Sequence, residues 1–219
     1  MTVIKKIENG REYRSLVMNA AETDDMVVEG YATTFDEPYH LYFFEDSKGN
    51  EKEVFEQVDR NAFREADLSD VIFQYDHEGK VYARLSNGTL ELSEDDHGLR
   101  VRADLGGTKA GQELYEEIKG GYTTKMSFGF TVADDDIKSL DDGNYLRTIR
   151  KVGKLYDVSA VSYPQNNYTE ISARSHCDGV IAEIEAERLQ TEMEKAERES
   201  KKENLVRRLS EVRGDKYGN

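Results

Sequence analysis

Few residues in this chain could carry covalent chemistry. The stretch TTKMSFGFTV, residues 123–132, places Ser127 inside an apolar run that reads as a β-strand. At a period of two, Phe128, Phe130 and Val132 share one face, and Ser127, Gly129 and Thr131 share the other. Gly129, lacking a side chain, leaves room above that face for a substrate backbone. Two readings stand side by side: Ser127 as a hydroxyl on a solvent face, or Ser127 as a nucleophile. A serine hydroxyl attacks a carbonyl only with a base in hydrogen-bond reach, normally a histidine oriented by a third group.

The bases available are His40, His77, His97 and His176. His77 closes the apolar strand VIFQYDH where a turn at Glu78-Gly79 begins, which makes it the best placed of the four. His97 lies in the polar turn EDDHG, a setting for a solvated side chain. His40 follows a loop containing Pro38, and His176 precedes a charged tail. The strand KLYDVSAVSYP (154–164) alternates Leu155, Asp157, Ser159 and Val161 with Tyr156, Val158, Ala160 and Ser162. A carboxylate amid β-branched residues is costly to bury without a partner. Asp157 therefore faces water, or faces His77 as the orienting acid. A metal hydrolase built on Asp76, His77 and Glu78 is disfavoured, because strand neighbours alternate faces and no second histidine has suitable spacing.

The elements that must position these residues are mostly short strands. MVVEGYATTF (26–35), VIFQYDH, KVYARL, GTLELSED and GLRVRADL carry β-branched, aromatic or alternating apolar residues with turn signals between them. A short helix capped by Asp59 is expected to carry Ala62, Phe63 and Ala66 on one side. KAGQELYEEIKGG (109–121) has Ala110, Leu114, Tyr115 and Ile118 at helical spacing, ended by Gly120-Gly121. Residues 133–145 form an acidic excursion, a hairpin or a flexible loop, before NYLRTIRKVGKLYDVSAVSYP returns as one or two strands. The pattern predicts an α+β, mainly β fold: a closed or nearly closed barrel of mostly antiparallel strands with surrounding helices.

After Ser175 the composition turns to Ala, Glu, Lys, Arg and Leu, with loosely periodic Ile181, Ile184, Leu189, Met193, Leu205, Leu209 and Val212. This predicts a domain over residues 1–175 and a charged helical tail over 176–219. The chain has 219 residues, 34% charged, with a net charge of -15. That excess of acid argues against a specific nucleic-acid binder. Cys177 is the only cysteine, so no internal disulfide can form. No apolar run approaches bilayer length and no signal peptide opens the chain, so a soluble protein that works where it is made, without a membrane, is expected.

In order along the chain, VIFQYDHEGKVYARL, EDDHGLRVRADL, ELYEEIKGGYTTKMSFGFTV and LYDVSAVSYPQN resemble the caudovirus prohead serine proteases, a family related in fold to herpesvirus assemblin. The resemblance covers roughly residues 25–173. The family commonly has Asn-His-Asp where this chain has Tyr75-Asp76-His77-Glu78, and glutamate where it has Asp157, one methylene shorter. The acidic excursion looks like an insertion. Carried over by position, the resemblance implies Ser127 as nucleophile, His77 as general base and Asp157 as the third member, with backbone donors for the oxyanion near Pro164-Gln165-Asn166. It implies no cofactor and no catalytic metal. It further implies a serine endopeptidase acting in the host cytoplasm, inside the assembling procapsid, on phage scaffold or major capsid protein and on itself. A homodimer is possible, and two readings of the tail (176–219) stand side by side: a scaffold-like or encapsidation segment removed by self-cleavage, or an ordinary solvated helix. The alternative is a non-enzymatic capsid assembly or scaffolding module with Ser127 as a surface serine.

Overall fold

In a computed structural model, residues 11–20, 25–46, 48–162 and 166–214 are described. Among the described residues ten strands form one sheet: β1 (Glu12–Ala20), β2 (Val27–Thr34), β3 (Tyr39–Glu45), β4 (Glu51–Val58), β5 (Ile72–Tyr75), β6 (Glu78–Arg84), β7 (Leu90–Glu94), β8 (Gly98–Asp104), β9 (Lys125–Ser139) and β10 (Tyr145–Val161). Their order is β3-β4-β10-β9-β1-β2-β8-β7, with the β5–β6 hairpin branching from β10.

This order corrects the expected closed barrel. Closure requires the two end strands to pair, whereas β3 and β7 end the path unjoined. The cause lies in β10, which is too long for one partner. Its edge opposite β9 takes β4 along Tyr145–Ile149 and then β5 along Asp157–Ala160, both parallel. The sheet forks there and its ladder path is not closed, although an isolated bridge from Phe35 to Val58 links the end of β2 to the end of β4. The other ladders are antiparallel.

The core lies against one face of this sheet. β8 alternates as its sequence does: Leu99, Val101 and Ala103 are buried, followed by Leu105. They meet Phe128, Phe130, Leu155, Val158 and Ala160 from β9 and β10. The Phe128 and Phe130 rings stack at 4.6 Å, as i, i+2 neighbours on one strand face can. Helix α1 (Lys109–Lys119) buries Leu114, Tyr115 and Ile118 against the same core. Thr108 caps it, its Oγ1 accepting from Gly111 N at 3.0 Å.

The short helix expected after Asp59 is instead a run of turns over residues 60–65. Asp59 Oδ1 accepts from the amide of Asn61 at 2.8 Å, so its carboxylate closes a local turn rather than capping a helix. Ala62 and Phe63 are nevertheless buried. The acidic excursion is the far end of β9, through Ser139, and the tip of the long β9–β10 hairpin, where Leu140 N donates to Asn144 O at 2.8 Å and Gly143 takes the left-handed φ of +83°. Helix α2 (Asn166–Gly214) begins before the change in composition. The chain divides into two compact units, Met1–Ser175 and His176–Asn219. In the second unit Leu189, Met193, Leu205 and Val206 are exposed among charged residues.

At the far half of β10, Arg147 is buried and bonded to three carboxylates. Its guanidinium donates to Glu12 Oε2 and Glu56 Oε2, both at 2.8 Å, and to Asp135 Oδ2 at 2.6 Å. Arg14 binds Glu12 and Glu56 from the other side, and the Tyr39 hydroxyl donates to Glu56. The network ties β1, β3, β4, β9 and β10 together. Burial alone would raise the Glu56 carboxyl, but Arg14 and Arg147 outweigh it and hold it down to about 2. A depressed carboxyl stabilises the fold above its ordinary range, and that stability is lost as pH falls from there towards about 2. Two outcomes are expected in thermal and denaturant unfolding. Arg147→Met, which strands buried carboxylates, costs about 3–5 kcal/mol. Glu56→Gln, in a fold that survives it, flattens the loss of stability on acidification.

Candidate active site

His77 is delivered by a turn, not by a strand end. Tyr75 of β5 pairs with Glu78 of β6, so Asp76 and His77 form a two-residue hairpin loop. Their φ angles are +48° and +59°, the pattern of a type I′ turn. Asp and His are among the few non-glycine residues that tolerate this region. The turn thus falls two residues before the expected Glu78-Gly79. The strand-alternation argument against a shared metal at 76–78 has no purchase on a turn. What separates these residues is that the Asp76 carboxylate turns away, accepting from Ser162 N at 2.9 Å and Ser162 Oγ at 2.8 Å.

Ser127 and Asp157 come from the β9–β10 ladder. Ser159 lies opposite Ser127, and Asp157 opposite Gly129. One row earlier Leu155 pairs with Phe130, so the ladder slips by a residue at Tyr156. This β-bulge corrects the expected strand phase. Leu155 joins Phe130 on the core face, while Asp157 and Ser159 fall on the face of Ser127. Without the bulge, strict alternation would put the aspartate on the Leu155 side.

The three side chains meet. His77 Nε2 stands 2.8 Å from Ser127 Oγ, and His77 Nδ1 is hydrogen-bonded to Asp157 Oδ2. An ionised carboxylate only accepts, so Nδ1 carries the ring proton and the Nε2 lone pair points at the serine hydroxyl. Ser127 and Asp157 are 2% and 3% exposed, which takes the expected solvent-face reading away from both. The other histidines lie elsewhere: His40 packs on Phe43, His97 on Tyr31 in the β7–β8 turn, and His176 is in α2. Pro164 and Gln165, expected near the oxyanion donors, lie outside the described residues, and Asn166 opens α2.

Three further residues complete the centre. Ser159, fully buried, donates from Oγ to the same Asp157 Oδ2 at 2.9 Å. Its place two residues beyond Asp157 on a strand was a usable signal. Tyr13 of β1, also opposite Gly129, sets its ring edge-on to the His77 ring at 4.3 Å. Burial, then the charge of Asp157, raises the Tyr13 phenol above its ordinary range, so it remains a neutral hydroxyl at neutral pH. Nothing in its local sequence marks it. Gly129 is the third. A Cβ there would stand 2.6 Å from Asp157 Oδ1 and 2.6 Å from Tyr13 Cε1. The space expected for a substrate backbone is filled by the acid and the tyrosine.

A buried serine hydroxyl, a histidine oriented for proton acceptance and a carboxylate behind it make up the working parts of a serine hydrolase. Residues 14–180 match the caudovirus prohead serine protease family, and the chain belongs to that family. It is 32% identical over 90 residues to the prohead protease of Enterobacteria phage HK97, a match covering 41% of this chain and 39% of that protein. The chain thus matches about two fifths of the length of this curated relative. No solved structure matches it.

Because the Gly129 site has no room for a methyl group, Gly129→Ala is expected to displace Asp157 and Tyr13. The rate at which a fluorophosphonate labels Ser127 should drop about a hundredfold. Circular dichroism should still report a folded sheet.

Proposed function

We propose that this chain is a prohead maturation serine endopeptidase, using Ser127, His77 and Asp157. The observation that carries the reading is the continuous hydrogen-bonded row Ser127–His77–Asp157 inside the segment that matches the family. Ser127 Oγ attacks the scissile carbonyl carbon while His77 Nε2 takes the hydroxyl proton. The resulting imidazolium is stabilised by Asp157, on which its Nδ1–H remains bonded. Collapse of the tetrahedral intermediate breaks the C–N bond, and Nε2 returns its proton to the leaving amine. A water molecule, deprotonated by the same nitrogen, then attacks the acyl carbon, and Nε2 returns that proton to Ser127 Oγ as the acyl C–O bond breaks. Ser159 and Tyr13 hold the acid and the base in place through these steps.

The substrates we infer are the scaffold or major capsid protein of a tailed phage, and the chain itself. Residues 1–175 would be the protease and 176–219 a helical segment that self-cleavage removes inside the procapsid, in the host cytoplasm. Co-expression of the full chain with its capsid protein tests this by intact mass. Wild type is expected to yield shortened capsid protein and a shortened protease, and Ser127→Ala to leave both at full mass. Unchanged processing in Ser127→Ala would favour the assembly-module reading instead.

A further inference from the structure

The geometry points to Asp76 as a positioning residue for His77: its carboxylate, clamped on Ser162, sets where the base stands over Ser127. This rests on the serine protease reading and adds to it a part that neither the family match nor the three-residue row contains.

The hairpin tip carrying His77 needs a restraint. It is a two-residue loop with both members at positive φ, at the end of the four-residue strand β5. A turn of this kind can rock about its strand ends, and small displacements of a base degrade proton transfer sharply. Besides the His77–Asp157 bond itself, three bonds from Asp76 hold the tip to the end of β10. Asp76 N donates to Ala160 O at 2.9 Å. Asp76 Oδ1 accepts from Ser162 N at 2.9 Å, and Asp76 Oδ2 accepts from Ser162 Oγ at 2.8 Å. Two of the three run through the Asp76 carboxylate.

The anchor point matters as much as the anchor. β10 also carries Asp157 and Ser159, and pairs with the strand carrying Ser127. Asp76 therefore references the base to the same strand as the acid, and through one ladder to the nucleophile. It also accounts for how an aspartate, shorter by one methylene than glutamate, meets the imidazole. The turn is pulled onto β10, and the ring of its second residue arrives at Asp157 Oδ2.

The test uses the full-length chain and a fluorophosphonate probe, whose phosphorus is attacked by the serine, so that no natural substrate is needed. Asp76→Gly removes the carboxylate while keeping a residue at ease with positive φ, which separates clamp loss from turn strain. Asp76→Asn keeps an acceptor for Ser162 N and tolerates the same backbone. The maximal labelling rate is expected to fall roughly tenfold or more in Asp76→Gly, with little change in the probe concentration giving half that rate. Asp76→Asn should recover to within about threefold of wild type, and Ser162→Ala should lose about threefold. The double variant Asp76→Gly/Ser162→Ala should be no slower than Asp76→Gly alone, because both act through one clamp. In proton NMR, the downfield His77 Nδ1–H resonance should persist in wild type and Asp76→Asn and broaden in Asp76→Gly. Wild-type labelling by Asp76→Gly, or an unchanged resonance in it, overturns the proposal. Absence of Ser127 labelling in wild type would sink the protease reading itself, while the resonance still decides whether Asp76 places the ring.

Discussion

The pairing of Asp157 with Gly129 across β9 and β10 is the contact on which the centre depends. A carboxylate in the middle of a buried ladder is tolerable only if its oxygens are bonded, and here Oδ2 meets both His77 and Ser159. Room for that carboxylate exists because its cross-strand partner has no side chain. The face it occupies is chosen by the bulge at Tyr156, which slips the ladder by one residue. Glycine, bulge and acid thus form one device, and none of them would make sense alone.

β10 is the strand to which everything else is referred. One end holds Asp157, Ser159 and, through Ser162, the turn that presents His77. The other end holds Arg147 in a buried cluster with Glu12, Glu56 and Asp135. That cluster attaches β1, the strand that brings Tyr13 against His77, to the rest of the sheet. Buried charge is an expensive way to stabilise a sheet, and it holds only because each ion here finds its partners. Since β1 contributes to the site as well as to the sheet, its register has chemical as well as structural consequences. The same length that lets β10 serve both ends makes it share one edge between β4 and β5, and so leaves the sheet open.

Much of this was legible in the sequence wherever structure follows from local rules. The alternation in β8, the helix around Leu114 and Ile118 and the residue types of the centre could all be named in advance, while residues 133–145 stayed open between a hairpin and a loop. The readings that failed did so for identifiable reasons. A bulge cannot be seen in a period-two pattern, so Leu155 and Asp157 were expected on one face. A type I′ turn built from Asp-His instead of Asn-Gly gives a weak turn signal, so the turn was expected at Glu78-Gly79. Barrel closure depends on which distant edges pair, and many short strands with turns between them are equally compatible with a forked open sheet.

By itself, the sequence determined which side chains were available for chemistry, the faces of the regular strands, and the change of composition after Ser175. It did so because periodicity, capping and turn preferences act over a few residues. Only the tertiary structure decided that Ser127, His77 and Asp157 meet, that Gly129 makes room for the acid rather than for a substrate, and that Tyr13, Ser159 and Asp76 belong to the same centre. Those outcomes rest on contacts between residues as far apart as Tyr13 and Asp157, set by ladder register and one slipped residue. No short window of sequence contains that information.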